Sequence, residues 1–159
     1  MSSDPYIVTP EGAERLKTRL KAIRESDRPK NVRDIEEARA HGDLRENAEY
    51  HAAKERQGML DAEMRMIEDT LSRLRVIDPT TLSGKKIVFG AYVELLNLET
   101  DEAVAYQIVG EDEADSKLGR ISYKAPIARA LIGKGVGAEV VFKAPGGDRT
   151  YEVVAVAFR

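Results

Sequence analysis

Two carboxylates, Asp43 and Glu46, stand three residues apart in the run Asp43-Leu44-Arg45-Glu46. On the first turn of a helix that spacing puts both on one side, where they can share a cation. Magnesium is commonly held by only one or two protein carboxylates together with waters and phosphate oxygens, so such a pair can be half of a site that another molecule completes. In a two-metal phosphoryl reaction the second ion positions and deprotonates the attacking water. The same four residues also fit a capping box, with Asp at the cap and Glu at the third helical position, which needs no metal. The tetrapeptide alone leaves both readings open.

Other side chains near this pair carry chemistry of their own. The ring of Tyr50 could stack on an extruded base. His51 could shuttle a proton, but it has no carboxylate partner visible in the sequence and is expected to pack against the helix instead. Arg33, Arg39, Arg45, Lys54 and Arg56 cluster around the acids. Lys54 and Arg56 fit a solvated face with ion pairs across two helices. Two further motifs are set aside. Gly133-Lys134-Gly135 lacks the four-residue spacer and following Ser or Thr of a phosphate loop. Glu111 to Asp115 lacks the glycine and closing glutamate of a calcium loop and reads as a solvated loop or a protein-contact surface.

The elements that must position these residues are legible on either side. Thr9-Pro10-Glu11 writes a helix start: Thr can cap, Pro fits the first helical position and Glu complements the dipole. Ala13, Leu16, Leu20 and Ile23 follow with the alternating three- and four-residue spacing of a coiled-coil seam. Pro29 interrupts, yet Val32, Ile35 and Ala38 resume a stripe, so one kinked or locally disturbed helix is expected to end near Ala40. His41-Gly42-Asp43 supplies a stop and a restart, with Asp43 as the expected cap of a second helix from about Leu44 to Leu74. Its seam is Met59, Leu60, Met64, Ile67, Leu71 and Leu74, thinning to Ala48, Ala52 and Ala53 near the tip. Two antiparallel arms of about 30 residues make a rod on the order of 45 Å long, with the acids at its far end.

After Asp78-Pro79 the pattern becomes strand-like at 86–89, 92–96 and 103–109, with a polar turn at 99–102. A short helix follows from Pro126 to Leu131, then two strands flank the Pro145-Gly146-Gly147-Asp148 turn. The fold class is therefore α+β. An antiparallel helical coiled-coil hairpin over 1–78, with its tip near 41–46, precedes a small antiparallel β-sheet domain with one short helix over 79–159. Residues 76–84 are the expected linker.

Composition narrows the partners. The absence of cysteine removes disulfides, thiolate metal sites and cysteine nucleophiles. The first residues lack the basic start and apolar run of a signal peptide, and no apolar run is long enough for a membrane span, so a cytoplasmic protein without membrane contact is expected. Residues 1–78 carry 15 Lys+Arg against 17 Asp+Glu, and residues 79–159 carry 10 against 11. Neither half has the cationic surplus from which independent duplex binding draws its affinity, so no independent sequence-specific DNA binding is expected.

The run from Glu37 to Lys54, Glu-Ala-Arg-Ala-His-Gly-Asp-Leu-Arg-Glu-Asn-Ala-Glu-Tyr-His-Ala-Ala-Lys, resembles the tip signature of the Gre transcript cleavage factors. Val76-Ile77-Asp78, Val88-Phe89-Gly90-Ala91, Ile108 to Asp115, Ala125 to Lys134 and the Pro145-Gly146-Gly147 turn extend the resemblance over almost the whole chain. The resemblance implies a hairpin that enters the secondary channel of RNA polymerase and an FKBP-like domain that docks on its rim. Pro126, Ile127 and Arg129 are then candidates for docking. It implies that Asp43 and Glu46 stand at the catalytic-site acids, sharing a magnesium with the polymerase rather than binding one stably. The backtracked RNA 3′ end is then cut by the polymerase, and the chain is not itself an enzyme. Tyr50, Lys54 and Arg56 become candidate RNA contacts. Two alternatives stay distinct. One is a channel binder that inhibits without cleavage, against which both acids argue. The other is a prolyl isomerase with a dimerising coiled coil, for which 6% aromatic residues and no Trp make a thin pocket.

Overall fold

The computed structural model describes residues 4–43 and 46–159. Leu44, the expected start of the second helix, and Arg45 of the basic cluster lie outside the described residues, as do Met1 to Ser3. The elements in chain order are β1 (Tyr6–Val8), α1 (Pro10–Ala22), α2 (Arg28–Arg39), α3 (Ala48–Ser72), β2 (Leu74–Val76), β3 (Tyr92–Asn97), β4 (Ala103–Val109), β5 (Arg120–Ser122), α4 (Pro126–Leu131), β6 (Glu139–Ala144) and β7 (Gly147–Ala157). The chain divides into two compact units, Met1–Tyr6 with Ala13–Leu74, and Ile7–Gly12 with Arg75–Arg159.

In the first unit α1 and α2 are one arm joined by a π-helical turn, Ile23–Asp27, closed by the Arg28 N–H donating to the Ile23 carbonyl. Pro29 has no N–H to continue the ordinary ladder, and the turn just before it absorbs the break. The wider turn also shifts the seam by one residue. Continuing the spacing of Ala13, Leu16, Leu20 and Ile23 without interruption would turn Lys30, Asp34 and Glu37 inward. One inserted residue brings Asn31, Ile35 and Ala38 inward instead, and these are the buried residues of α2. Val32, expected in the stripe, is therefore 47% exposed. Asn31, in its place on the inner face, satisfies its amide by donating to the Ala53 carbonyl at 2.9 Å.

The facing arm α3 buries Ala53, Leu60, Ile67 and Thr70, and Leu20, Ile23, Leu60 and Ile67 form the centre of the hairpin core with Leu16, Met64 and Leu71 packed on it. Met59, assigned above to this seam, is 57% exposed. Leu60 alone fills that level, because adjacent helix positions lie about 100° apart. Ala48 and Ala52 are exposed as well, and only Ala53 faces the other arm. Ion pairs cross between the arms: Arg19 grips Glu63 through two hydrogen bonds of 2.7 and 2.9 Å, and Arg24 meets Glu68 at 2.6 Å. Arg19 holds the Glu63 carboxyl below the usual carboxylate range.

The second unit is built on a five-stranded sheet in the order β5-β4-β3-β7-β6. All neighbours are antiparallel except β4 and β5, which run parallel, so the sheet is mixed rather than antiparallel throughout. Alternation along β3 turns Val93 and Leu95 inward, where they meet Ile108, Val153, and Ala128 and Leu131 of α4. Residues 86–89 do not form the expected strand. Gly90 turns the chain, with φ of 89°, and the segment makes only one bridge, Lys86 to Gly135. Ile87 is nonetheless fully buried, and its backbone bonds to Lys134 and Gly133 at 2.8 Å each. The turn between β6 and β7 lies where expected, Ala144 pairing with Gly147 across Pro145-Gly146.

The expectation of a solvated loop at 111–115 fails at its centre. Glu113 is 3% exposed. One carboxylate oxygen accepts from the Thr9 N–H at 3.1 Å and the Gly110 N–H at 2.9 Å, and the other accepts from the Thr9 hydroxyl. Thr9 in turn accepts from the Gly12 N–H at 3.3 Å, as a helix cap should. Gly12 has to be glycine here, since a Cβ would stand 2.5 Å from the Glu113 carboxylate.

Candidate functional site

The hairpin tip is built by backbone bonds that end one arm and a side chain that starts the next. The His41 N–H closes on the Ala38 carbonyl at 3.2 Å, and Gly42 takes the left-handed conformation with φ of 114°. The cap of α3 is Asn47, not Asp43: its side-chain oxygen accepts from the Tyr50 N–H at 3.0 Å. Its amide donates to the Ala38 carbonyl at 2.5 Å, so one residue ties both arms together. Neither Asp43 nor Glu46 therefore lies in the first turn of α3, and Asp43 is not the cap of that helix as expected. Both acids precede α3 in irregular backbone, where geometry other than helical periodicity relates them.

That geometry still brings them together. Asp43 and Glu46 are exposed and border the same hollow, about 440 Å³, with His41, Asn47 and Glu49. A second hollow of about 410 Å³ lies along the arms and shares His41 and Glu49 with the first. Sequence reasoning missed Asn47 as the organiser of the tip. The signal available was Asn as a favoured cap directly before Ala48-Glu49. It also missed Glu49, which faces both hollows.

Carboxylate oxygens are hard donors suited to magnesium. Among the described residues no group of three or more His, Cys, Asp or Glu is disposed to hold a metal ion. Asp43 and Glu46 are two such carboxylate donors beside one hollow.

The remaining candidates separate by position. Tyr50 is half-buried, its ring edge-on to His51 at 5.7 Å and facing the Arg39 guanidinium at 5.9 Å. His51 is exposed rather than packed between the arms, a correction that follows from Ala53, not position 51, facing inward. Lys54 is exposed and donates to Gln57 at 3.0 Å. Arg56 lines the hollow along the arms. In the second unit Pro126 begins α4, with Pro126 and Arg129 exposed and Ile127 packed against the sheet core. These three belong to a different unit from the tip. Among the described residues no helix is long and apolar enough to cross a membrane.

Comparison with known proteins places this geometry in a family. The N-terminal model of the GreA/GreB transcription elongation factors matches residues 6–76, and the C-terminal model matches residues 82–158. The chain is 54% identical over 159 residues to the transcription elongation factor GreA of Thioalkalivibrio sulfidiphilus, covering 99% of each. It is 51% identical over 155 residues to that of Brucella anthropi, covering 98% of this chain and 99% of the relative. Among solved structures it is similar to the GreA factor homolog 1 (Gfh1) of Thermus thermophilus, at 29% identity over 96% of this chain and 98% of that one, with a TM-score of 0.43. With both family models matched in order and close relatives aligned end to end, the chain belongs to the GreA/GreB family of transcription elongation factors.

Proposed function

We propose that the helical hairpin enters the secondary channel of bacterial RNA polymerase while the sheet domain docks on the channel rim through the surface around Pro126, Ile127 and Arg129. There the tip acids assist the polymerase in hydrolysing a backtracked RNA 3′ end. The observation that carries this reading is that Asn47 caps α3, so the helix start does not consume Asp43. Both acids border one hollow at the outermost turn of the hairpin. An exposed acid pair beside open space at that turn is placed where a cation held by another molecule can reach it.

Asp43 and Glu46 would hold a magnesium from one side while carboxylates of the polymerase hold it from the other. A magnesium so bound acidifies a water and neutralises developing charge on the phosphate. The chain's own contribution is to orient that water by accepting its hydrogen bonds on the Asp43 and Glu46 carboxylate oxygens, and to fix both acids through the Asn47 tie between the arms. Water attacks phosphorus, the bond to the upstream 3′ oxygen breaks, and a new 3′ hydroxyl stands in register. Tyr50, Lys54 and Arg56 flank the path that the displaced RNA would take. On this reading the reaction belongs to the polymerase active site, and the chain acts on it as a factor and not as an enzyme.

The test is a backtracked elongation complex incubated with and without the wild-type chain. Faster release of short 3′ fragments is expected. Slowed nucleotide addition without cleavage would replace this reading with that of a channel inhibitor.

A further inference from the structure

The face of the sheet opposite its core carries a recess that the tip chemistry does not use. Strand register lines up Arg120, Gln107, Tyr92 and Ala157 in one row across β5, β4, β3 and β7, and Ala105, Glu94 and Ala155 in the next. Together they bound a recess of about 370 Å³, a size at which small-molecule sites begin, roughly 300–1,000 Å³. A neighbouring hollow of about 230 Å³ shares Tyr92, Gln107, Arg120 and Arg159 and reaches Thr9 at the start of α1.

Ala105, Ala155 and Ala157 leave low ground on either side of β3, beside the Tyr92 ring, over which the Arg159 guanidinium sits at 4.9 Å. At one end of the row Arg120 keeps unused donor capacity. Its side chain is 12% exposed and 3.7 Å from Glu113, whose oxygens already accept from Thr9 and Gly110. A guanidinium has five N–H donors and suits oxyanions. The acids lining the recess, Glu94 and Glu11, disfavour a bare anion but accept from hydroxyl and amino groups. A fitting ligand therefore combines a planar ring, hydrogen-bond donors and an oxyanion. From Arg120 to Tyr92 is two strand spacings, roughly 10 Å.

We propose that this recess binds a nucleoside monophosphate, its phosphate toward Arg120 and Arg159, its base over the alanines beside Tyr92, and its sugar or amino donors toward Glu94. The test is an amide-resolved NMR titration of the full chain with AMP, with adenosine and inorganic phosphate as separate arms. Saturable shifts at Tyr92, Glu94, Gln107 and Gly119 are expected with AMP, and each fragment alone should bind at least about tenfold more weakly. Ala157→Leu, which fills that low ground, should abolish those shifts without changing the unfolding temperature. Arg159→Ala, at the exposed terminus, should weaken binding about tenfold. The proposal is overturned if millimolar AMP gives no saturable shift, if phosphate alone binds as well as AMP, if the shifts fall only at the hairpin tip, or if both variants bind like wild type.

Discussion

Two acid-bearing segments in this chain look alike on paper and are placed differently. In 111–115 the central Glu113 is buried and accepts from two backbone N–H groups and a hydroxyl. Asp43 and Glu46 are exposed beside a hollow, and the helix they precede is capped by Asn47. A carboxylate buried among backbone donors of its own unit serves the fold, whereas one exposed beside open space can be reached by another molecule. Charge density in the sequence does not tell them apart. Burial does.

The contrast is broken most forcefully at Glu113. Glu113→Ala strands the Thr9 and Gly110 donors and leaves Arg120 without its anion, and should lower stability by about 3 kcal/mol, read by chemical denaturation. A loss under about 1 kcal/mol would mean that the buried acid is not structural. Asn47→Ala comes next. Losing the cap and the tie to Ala38 should lower hairpin stability by about 1 kcal/mol, seen as faster amide exchange at the start of α3.

A smaller effect sharpens the same distinction through pH. Because Arg19 holds the Glu63 carboxyl below its ordinary value of 4.5, the pair stabilises the hairpin above that pH. The contribution is lost as pH falls through the lowered folded value. Both side chains are about a third exposed, 38% and 35%, so Glu63→Gln should lower stability by only about 0.5 kcal/mol at neutral pH. The gap to wild type should close in acid denaturation curves below pH 4.5. Smallest of all, Asp43→Ala and Glu46→Ala should each change stability by under about 0.5 kcal/mol in thermal unfolding.

The two helical arms were legible because a coiled-coil seam writes itself in local spacing, and Ala13, Leu20, Ile23, Leu60 and Ile67 are buried as that spacing requires. The one-residue shift at the π turn was not legible, since Asn31 on the inner face is explained only by its bond to Ala53 on the other arm. Strands β3, β4, β6 and β7 announced themselves by alternation. The three-residue β5 and the buried Glu113 did not, the latter because its partner Thr9 is 104 residues away. The acid pair was found for a spacing that helical geometry does not in fact use. Asp43 and Glu46 border one hollow ahead of the Asn47 cap, a placement that no periodicity encodes.

The central claim is that Asp43 and Glu46 serve chemistry and not the fold, and it is tested most directly by the Asp43→Ala, Glu46→Ala double variant in a backtracked polymerase complex. The rate of stimulated 3′ cleavage should fall by roughly two orders of magnitude, with polymerase binding and unfolding temperature unchanged. Cleavage at the wild-type rate by that variant would contradict it.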